Sequence, residues 1–416
     1  MLRKGSSPMH SQENRNATKI AAIIATVLLL TVGAWAQTGT VLYSFTGQPD
    51  GAYPHSSLLL DPKGNLFGTT NSGGAYGQGS AYELTPNPNG GWTESVIYSF
   101  NYGAGGYLPS SNVIRDAKGN LYSTVFYGGD YGAGAVFELT RNKKTGVWTE
   151  QVIYSFQEYP SDGGNPSSGL IFDKAGNLYG VTGVDGAYGQ GVVYELSPNG
   201  SGGWTETVLH NFVSYDPQDG DGPSGSLVMD KEGNLYGMTV SGGSAGMGTV
   251  FEVSPDGNGN WTESLLYSFQ GGNDGANPVN STLLLKGTTL YGTTNSGGSA
   301  NDGTIFELAY SKTKAQWLES VLYTFPGGAN GAAPYAGLVD DPKGNLYGTT
   351  TTGVYGEGGP VFELVKGPKN TWTEQVLYSD FRGSYAGLVR DKAGNLFGTS
   401  EFYGPDYDGA VFEVTP

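Results

Sequence analysis

The chain has 416 residues, of which 70 are glycine, and 38 acidic residues against 21 basic ones give a formal net charge of −17. Such a charge repels nucleic acid and anionic lipid surfaces, so we expect neither as a partner. Because the chain has no cysteine, a thiol nucleophile, a thiolate metal site and a cysteine-ligated iron–sulfur cluster are excluded.

Residues 1–36 have the pattern of a secretory signal peptide. Four basic residues precede the apolar run 20–35, and a small-x-small pattern, Ala-Trp-Ala, allows cleavage before Gln37. The run is slightly short for a spanning helix, and an uncleaved membrane anchor is the alternative. We therefore expect a mature domain of residues 37–416 that is secreted, periplasmic or at the cell surface, without membrane contact after cleavage. Cleavage would remove four basic residues and one acidic residue, which leaves 17 against 37 and a net charge of −20.

The mature part is a tandem repeat of seven units. Variants of Asn-Leu-(Tyr/Phe)-Gly-Thr recur 50 to 57 residues apart, with the Leu at positions 66, 121, 178, 235, 290, 346 and 396. In the first complete unit, four β-prone runs cover 57–60, 66–70, 81–85 and 92–100, bounded by Gly, Pro, Asn or Asp. Four antiparallel strands in a unit of this length predict the blades of a β-propeller. A solenoid of shorter coils and an open array of sheets are the alternatives.

The two ends of the mature chain complement each other. The chain finishes after the third strand of the last unit, and the missing fourth strand is found at 40–45. Pairing of these segments would close the ring and cover two exposed sheet edges. The sequence therefore predicts an all-β fold, a seven-bladed β-propeller of four-stranded antiparallel blades, closed by an N-terminal strand completing the last blade. We expect a monomer, because a closed ring leaves no blade edge that needs a partner.

The turn between the first and second strands is specified by Asp-x-x-Gly-Asn in six of the seven units. These turns begin at Asp61, Asp116, Asp173, Asp230, Asp341 and Asp391. The carboxylate accepts backbone N–H groups across such a turn, and Gly supplies the positive φ that closes it. One carboxylate per turn is a poor cation site, so we interpret these residues as structural. The fifth unit has Lys286-Gly-Thr-Thr instead, which predicts a shorter turn.

The combination of G-N-L-Y-G-T-T, a Gly-rich loop, G-T-V-F-E-L and W-T-E-x-V-L-Y-S-F resembles the Gloeobacter/Verrucomicrobia tandem repeat. Residues 346–350 and 249–253 carry it well, and the resemblance covers roughly 41–416. It implies an exported bacterial protein of a family without an assigned biochemical activity. Members often carry a C-terminal sorting anchor, and the absence of such a tail here leads us to expect a released or periplasmic form. The D-x-x-G-N-L-Y phrase is also similar to NHL-type propellers, which mostly serve as binding platforms.

Two kinds of long, variable loop should share one rim of the ring: the loop between the second and third strands, and the link from the fourth strand to the next blade. Variation among repeats predicts that this long-loop rim is the functional face. The rim is rich in tyrosine, whose flat apolar face and hydroxyl suit sugars or peptides. The candidate ligand-binding residues are Tyr53, Tyr76, Tyr107, Tyr127, Tyr131, Tyr188, Tyr215, Tyr355, Tyr403 and Tyr407. The alternative is that each ring packs its own loop onto the blade.

The sequence assigns no metal site. The runs 219–222 and, more weakly, 404–408 resemble calcium loops without full EF-hand spacing. We expect no cofactor, with calcium as the alternative. His55 and His210 fall in different repeats, and we interpret each as a surface or loop residue and not as a ligand or base.

A catalytic pair of carboxylates should occur once, whereas the Glu residues of Phe-Glu and Trp-Thr-Glu recur and are predicted to be structural. In an enzyme the candidates would be the non-repeating carboxylates Glu158, Asp185, Asp216, Asp219, Asp221, Glu357 and Asp406. None stands out, so no catalytic residue is assigned. We predict an extracellular, non-catalytic binding protein whose partner is a polysaccharide or a surface protein. The alternatives are a carbohydrate-active enzyme, a glycosidase or lyase that uses rim carboxylates, and a structural cell-surface spacer.

Overall fold

Short strands rich in β-branched and aromatic residues pair into seven four-stranded antiparallel sheets, and these sheets surround a central channel. The computed structural model describes residues 38–415 except 104, 110, 158, 159, 161, 354–357, 382 and 383. The predicted signal peptide, Tyr355, Glu158 and Glu357 lie outside the described residues. No helix in the described part of the chain is long and apolar enough to cross a bilayer.

Strands β1 to β32 are numbered in chain order, and each blade runs outwards from the channel. Blade 1 consists of β2 (Leu59–Leu60), β3 (Leu66–Thr70), β4 (Ser80–Pro86) and β5 (Trp92–Ser99). Blade 2 consists of β6 (Ile114–Arg115), β7 (Leu121–Val125), β8 (Ala135–Arg141) and β9 (Trp148–Ser155). Blade 3 consists of β11 (Ile171–Phe172), β12 (Leu178–Thr182), β14 (Val192–Pro198) and β15 (Trp204–Asn211). Blade 4 consists of β16 (Gly220–Met229), β17 (Leu235–Gly242), β18 (Thr249–Pro255) and β19 (Trp261–Ser268).

The remaining three blades follow the same order. Blade 5 consists of β21 (Leu284–Lys286), β22 (Thr289–Thr294), β24 (Thr304–Ser311) and β25 (Gln316–Thr324). Blade 6 consists of β26 (Val339–Asp340), β27 (Leu346–Thr349), β28 (Val361–Lys366) and β29 (Trp372–Tyr378). Blade 7 consists of β30 (Val389–Arg390), β31 (Leu396–Ser400), β32 (Ala410–Thr415) and β1 (Thr38–Ser44). Short 3₁₀ turns lie at Gly328–Asn330 and Pro368–Asn370.

The N-terminal strand completes the last blade, as predicted. Strand β1 lies antiparallel to β32, with Thr38 opposite Thr415 and Ser44 opposite Ala410. Phe45, directly after β1, is fully buried in an apolar cluster that also contains Leu66 of blade 1 and Phe397 of blade 7. The closed seven-bladed propeller is therefore confirmed.

An apolar cluster fills each of the seven interfaces between neighbouring blades. The Phe that follows each fourth strand packs against an aromatic ring on the third strand of the next blade. Phe100 meets Phe137 edge to face with ring centroids 5.0 Å apart. At the interface of blades 6 and 7 the extra residue Asp380 changes this geometry, and Phe381 stacks flat on Phe412 with centroids 3.9 Å apart. Burial of these rings is the main term that holds the blades together.

The same rings explain the glycine of the Leu-(Tyr/Phe)-Gly-Thr motif. A Cβ on Gly398 would lie 2.6 Å from Cζ of Phe412, and the corresponding glycines of the other blades meet their third-strand rings in the same way. Blade 2 is the exception, because Ser123 occupies this position beside Phe137. The glycine is thus required by close approach to a neighbouring strand and not by a turn.

The Asp-turns have the predicted geometry. One carboxylate oxygen of Asp173 accepts the backbone N–H groups of Ala175 at 2.8 Å and of Asn177 at 2.9 Å. Gly176 adopts a φ of 93°, which closes the turn. In blade 5 Lys286 pairs directly with Thr289 across a two-residue turn, so the shorter turn is also found. The first strand of blade 1 is shorter than predicted, since only Leu59–Leu60 of the run 57–60 pairs with the second strand.

Candidate functional site

The two kinds of variable loop do share one rim. Ala52 of the link before blade 1 pairs with Ser72 of the loop between its second and third strands. Tyr107 pairs with Tyr127 in the same way in blade 2. In blades 3 and 5 the contact forms short ladders, β10 (Gly163–Gly164) with β13 (Val184–Asp185) and β20 (Gly275–Ala276) with β23 (Ser296–Gly297). In these four blades, hydrogen bonds therefore fix the two long loops to each other.

The predicted tyrosines differ in exposure. Six of them have well-exposed side chains: Tyr76, Tyr127, Tyr131, Tyr188, Tyr215 and Tyr407. Three are half-buried: Tyr53, Tyr107 and Tyr403. Among the described residues, the aromatic contacts join one pair within this set, Tyr107 and Tyr127, which stack with centroids 5.4 Å apart.

Several of the exposed tyrosines lie at the outer circumference of the ring. The loops that carry Tyr76 and Tyr131 are fastened to the ends of outer strands, because the N–H of Ala75 donates to Ser99 and that of Asp130 to Ser155, both at 3.1 Å. The loop of Tyr188 is held in the same manner, through the N–H of Ala187 and the side chain of Asn211 at 2.7 Å. These tyrosines are spread one to a blade and do not converge.

The polar site that does converge is the central channel. Its walls come from the first strand of every blade and from the residues just before it, and they enclose about 400 Å³. Small polar side chains dominate the part of the wall that precedes the first strands, among them Ser57, Asn112, Ser167, Ser226 and Thr282. The Ser226 hydroxyl of blade 4 donates to the side-chain oxygen Oδ1 of Asn112 in blade 2 at 3.2 Å, so the wall contains hydroxyl and amide groups already arranged in hydrogen bonds.

An aromatic cluster lies at the mouth of the channel on the long-loop rim. His55 and Tyr385, which precede the first strands of blades 1 and 7, stack with ring centroids 4.9 Å apart and planes 17° apart. Tyr335, at the same position in blade 6, meets Tyr385 edge to face at 5.2 Å. Glu401, directly after β31, acts electrostatically on both tyrosines. We call His55, Tyr335, Tyr385 and Glu401 the channel-mouth cluster.

Burial sets the protonation of this cluster. It raises the pKa of Glu401 to about 7 and lowers the pKa of His55. It also raises the pKa of Tyr385, with a further contribution from Glu401. At neutral pH the imidazole is therefore uncharged, and Glu401 exchanges its proton readily. The cluster offers flat rings together with groups that both donate and accept hydrogen bonds.

The channel walls lack positive charge. None of the described residues that line the channel is Lys or Arg, so an anionic group would find no counter-ion there. The non-repeating carboxylates Asp185, Asp216, Asp219, Asp221 and Asp406 do not line the channel either. Tyr335, Tyr385 and Glu401 were not among the site residues predicted from the sequence. A signal was present, because the residue three positions before Leu58 and its counterparts in the other units is His or Tyr in three units and Ser or Asn in the others.

The Trp-Thr-Glu carboxylates lie at the outer edges of the blade interfaces. At the interface of blades 2 and 3, the Tyr154 hydroxyl donates to Asp162 at 2.6 Å, and burial together with Asp162 raises the pKa of Glu206 to about 8. The same arrangement recurs as Tyr43, Asp50 and Glu94, and as Tyr267, Asp274 and Glu319. Because this group of Tyr, Asp and Glu recurs at several interfaces, we interpret it as structural.

At the interface of blades 3 and 4, His210 stands where the other interfaces have a tyrosine. His210 lies in strand β15 and is half-buried, so its interpretation as a surface or loop residue was wrong. Its Nε2 is 3.3 Å from both carboxylate oxygens of Asp219, and Glu263 of the next blade completes the group. Asp221, which shares the calcium-like run with Asp219, instead accepts a hydrogen bond from Ser214 at 3.2 Å.

The geometry defines a seven-bladed propeller with a polar channel and an aromatic mouth. The family model described as the Gloeobacter/Verrucomicrobia repeat matches residues 30–229, 78–306, 171–383 and 260–416, and the chain belongs to this family. A comparison with curated proteins gave no match.

Solved structures share the fold at low identity. A polysaccharide lyase of family PL25, an ulvan lyase bound to a saccharide, has a TM-score of 0.51 at 11% identity, covering 91% of this chain and 95% of its own. A candidate 6-phosphogluconolactonase from Bacteroides uniformis has a TM-score of 0.50 at 14% identity, covering 80% of this chain and 88% of its own. A glucose dehydrogenase has a TM-score of 0.44 at 15% identity, covering 91% of this chain and 99% of its own. At these identities the likeness concerns the fold alone.

Proposed function

We propose that this protein is an exported binding protein that takes a neutral glycan at the channel mouth of its long-loop rim. The observation that carries the proposal is the convergence of His55, Tyr335 and Tyr385 from three blades above a hydroxyl-lined channel. The basic and apolar N-terminal segment and the family resemblance support export.

The chemistry of the cluster suits a sugar. A pyranose presents C–H faces that pack on aromatic rings and hydroxyl groups that need both donors and acceptors. Tyr385 supplies a half-buried ring, and Glu401 together with the serine hydroxyls supplies the polar partners. The channel volume of about 400 Å³ accommodates the end of a chain or a side branch.

The preference for a neutral ligand follows from charge. The formal net charge is −17 and the described channel lining carries no Lys or Arg, so uronic acids and sulfated sugars would be repelled.

The test is a titration of the purified chain with neutral soluble polysaccharides, followed by calorimetry. Tyr385→Ala should weaken binding by roughly tenfold, since one aromatic contact contributes about 0.5–1.5 kcal/mol beyond its buried area. The matched control is the triple variant Tyr76→Ala, Tyr131→Ala and Tyr188→Ala, which removes the peripheral rings and should bind normally. Binding that is lost in the triple variant and kept in Tyr385→Ala would place the site at the periphery. An absence of glycan binding would favour the spacer function.

A second candidate function is a carbohydrate-active enzyme, and one observation favours it. Glu401, with a pKa of about 7, lies near two tyrosines and is suited to general acid–base chemistry. A glycosidase needs a second carboxylate, and none of the described channel-lining residues is acidic. A time course of new reducing ends or unsaturated products, compared between wild type and Glu401→Gln, distinguishes this enzyme from the binding protein.

A further inference from the structure

We propose that His210, Asp219 and Glu263 form a binding site for one divalent transition-metal ion of the zinc type at the interface of blades 3 and 4. The ligand atoms of the three side chains lie within 4.8 Å of one another. His210 belongs to outer strand β15 of blade 3, Asp219 to the link between the blades, and Glu263 to outer strand β19 of blade 4. The ion would therefore join two blades.

The distance between His210 and Asp219 fits such an ion. Nε2 of His210 is 3.3 Å from each carboxylate oxygen of Asp219. Two ligands of a tetrahedral zinc ion with bonds of about 2.0–2.1 Å are separated by about 3.3–3.4 Å. With its proton on Nδ1, the imidazole presents the Nε2 lone pair towards the two carboxylates. Three protein ligands leave a fourth position for water.

The site is also held in place before any ion binds. The Asp219 side chain is only 8% exposed, and its oxygens accept the backbone N–H groups of Val213 at 3.0 Å and Gly220 at 2.7 Å. Oε1 of Glu263 is buried and has no hydrogen-bond partner among the described residues, a property that it shares with the equivalent oxygens of Glu94, Glu150, Glu206, Glu319 and Glu374. This interface differs from the others because the His210 imidazole lies beside that carboxylate. A buried carboxylate oxygen of this kind needs a cation or a proton donor. One imidazole and two carboxylates supply the charge and the donor atoms for a divalent ion.

The other blade interfaces provide a comparison within the same molecule. Tyr154 and Tyr267 stand where blade 3 has His210, and their hydroxyls donate to Asp162 at 2.6 Å and to Asp274 at 2.9 Å. A neutral phenol that donates its proton to the carboxylate offers no ligand comparable to imidazole nitrogen. We therefore expect one metal ion per chain and not one per blade.

The experiment is a calorimetric titration of the purified full chain, free of any polyhistidine tag, with zinc chloride, together with thermal unfolding with and without zinc. We expect one ion per chain and a higher melting temperature in zinc, because the ion binds the folded state. His210→Tyr restores the residue used at the other interfaces, so it should fold, lose the stoichiometric binding and lose the zinc-dependent rise in melting temperature. His55→Ala should retain both.

Glu263→Gln tests the third ligand and should weaken zinc binding without abolishing folding. Absence of stoichiometric binding to the wild type, or binding unchanged in His210→Tyr, overturns the site. The site is remote from the channel mouth, so the glycan titration proposed above should be the same for wild type and His210→Tyr. A failure of either proposal is thus distinguishable from a failure of the other.

Discussion

The backbone N–H of Gly387 donates a hydrogen bond of 2.9 Å to the hydroxyl oxygen of Ser57, which joins the innermost segments of the last and first blades. Thr399 likewise donates to the Ser56 carbonyl at 3.3 Å. With the β1–β32 pairing at the outer edge, these contacts close the ring both at the channel and at the circumference. The ring is thus closed by contacts at both the inner and the outer edge of blade 7.

Removal of the closing strand should destabilise the whole ring. Deletion of residues 38–45 exposes one edge of β32 and removes Phe45, so we expect a large fall in melting temperature. Phe45→Ala alone should cost about 3–5 kcal/mol of unfolding free energy, as should the control Phe100→Ala at an internal interface. Urea denaturation measures both. A deletion variant that melts like wild type would contradict closure through β1.

Two buried tyrosines are predicted to be better as phenylalanine. The hydroxyls of Tyr82 and Tyr194 are buried without a hydrogen-bond partner among the described residues, and Phe137 and Phe251 occupy the same position in blades 2 and 4. Tyr194→Phe should raise the free energy of unfolding by about 1 kcal/mol, because a buried unpaired hydroxyl is removed.

The control is Tyr154→Phe, whose hydroxyl donates to Asp162 at 2.6 Å. It should lower the free energy of unfolding by about 1.5–3 kcal/mol, the range for a hydrogen bond to a charged group. Denaturation curves that place Tyr194→Phe below wild type would show that its hydroxyl has a stabilising partner.

Stability should fall as pH rises through neutrality. Burial, with a neighbouring Asp, raises the pKa of Glu206 to about 8 and of Glu94 and Glu319 to about 7, from an ordinary value of 4.5. Between the ordinary pKa of 4.5 and the raised pKa values, these glutamates are protonated in the folded chain and ionised in the unfolded chain. The free energy of unfolding therefore decreases as pH increases through this range. The contribution is fully present below about pH 4.5 and is lost once pH passes about 8.

Melting temperatures measured from pH 5 to pH 9 check this slope. Glu206→Gln keeps a neutral side chain at every pH, so it should flatten the curve and melt above wild type at high pH. Glu150→Gln is the matched comparison and should have a smaller effect, since no Asp contributes to the raised pKa of Glu150. Identical slopes in wild type and Glu206→Gln would refute the assignment.

The Asp-turns should contribute measurably to stability. Asp173→Ala removes the acceptor of backbone N–H bonds from Ala175, Gly176 and Asn177, and we expect a loss of about 1–3 kcal/mol. Thr288→Ala in the two-residue turn of blade 5 is the control and should change stability by less than about 0.5 kcal/mol. Equal effects in a urea titration would mean that the carboxylate has no structural role.

The repeat made most of the fold predictable. Leu66 and its counterparts mark the second strands because each packs into the same kind of blade interface. The β-prone run at 40–45 predicted the closure of the ring. The channel-mouth cluster was harder to predict, because His55, Tyr335 and Tyr385 come from three separate units and meet only once the ring is closed. His210 was misjudged for a similar reason, since its partners come from the link to blade 4, which contains Asp219, and from blade 4 itself, which contains Glu263.

The pairing of Thr38 with Thr415 also has a consequence for biosynthesis. Strand β1 is synthesised before every other strand of the ring, and its partner β32 is synthesised after all the others. Every nascent chain that lacks β32 therefore leaves β1 without its partner, and blade 7 forms only after β32 has been synthesised. The N-terminal strand therefore stays unpaired while the other blades form, and the last pairing joins residues that lie far apart in the sequence.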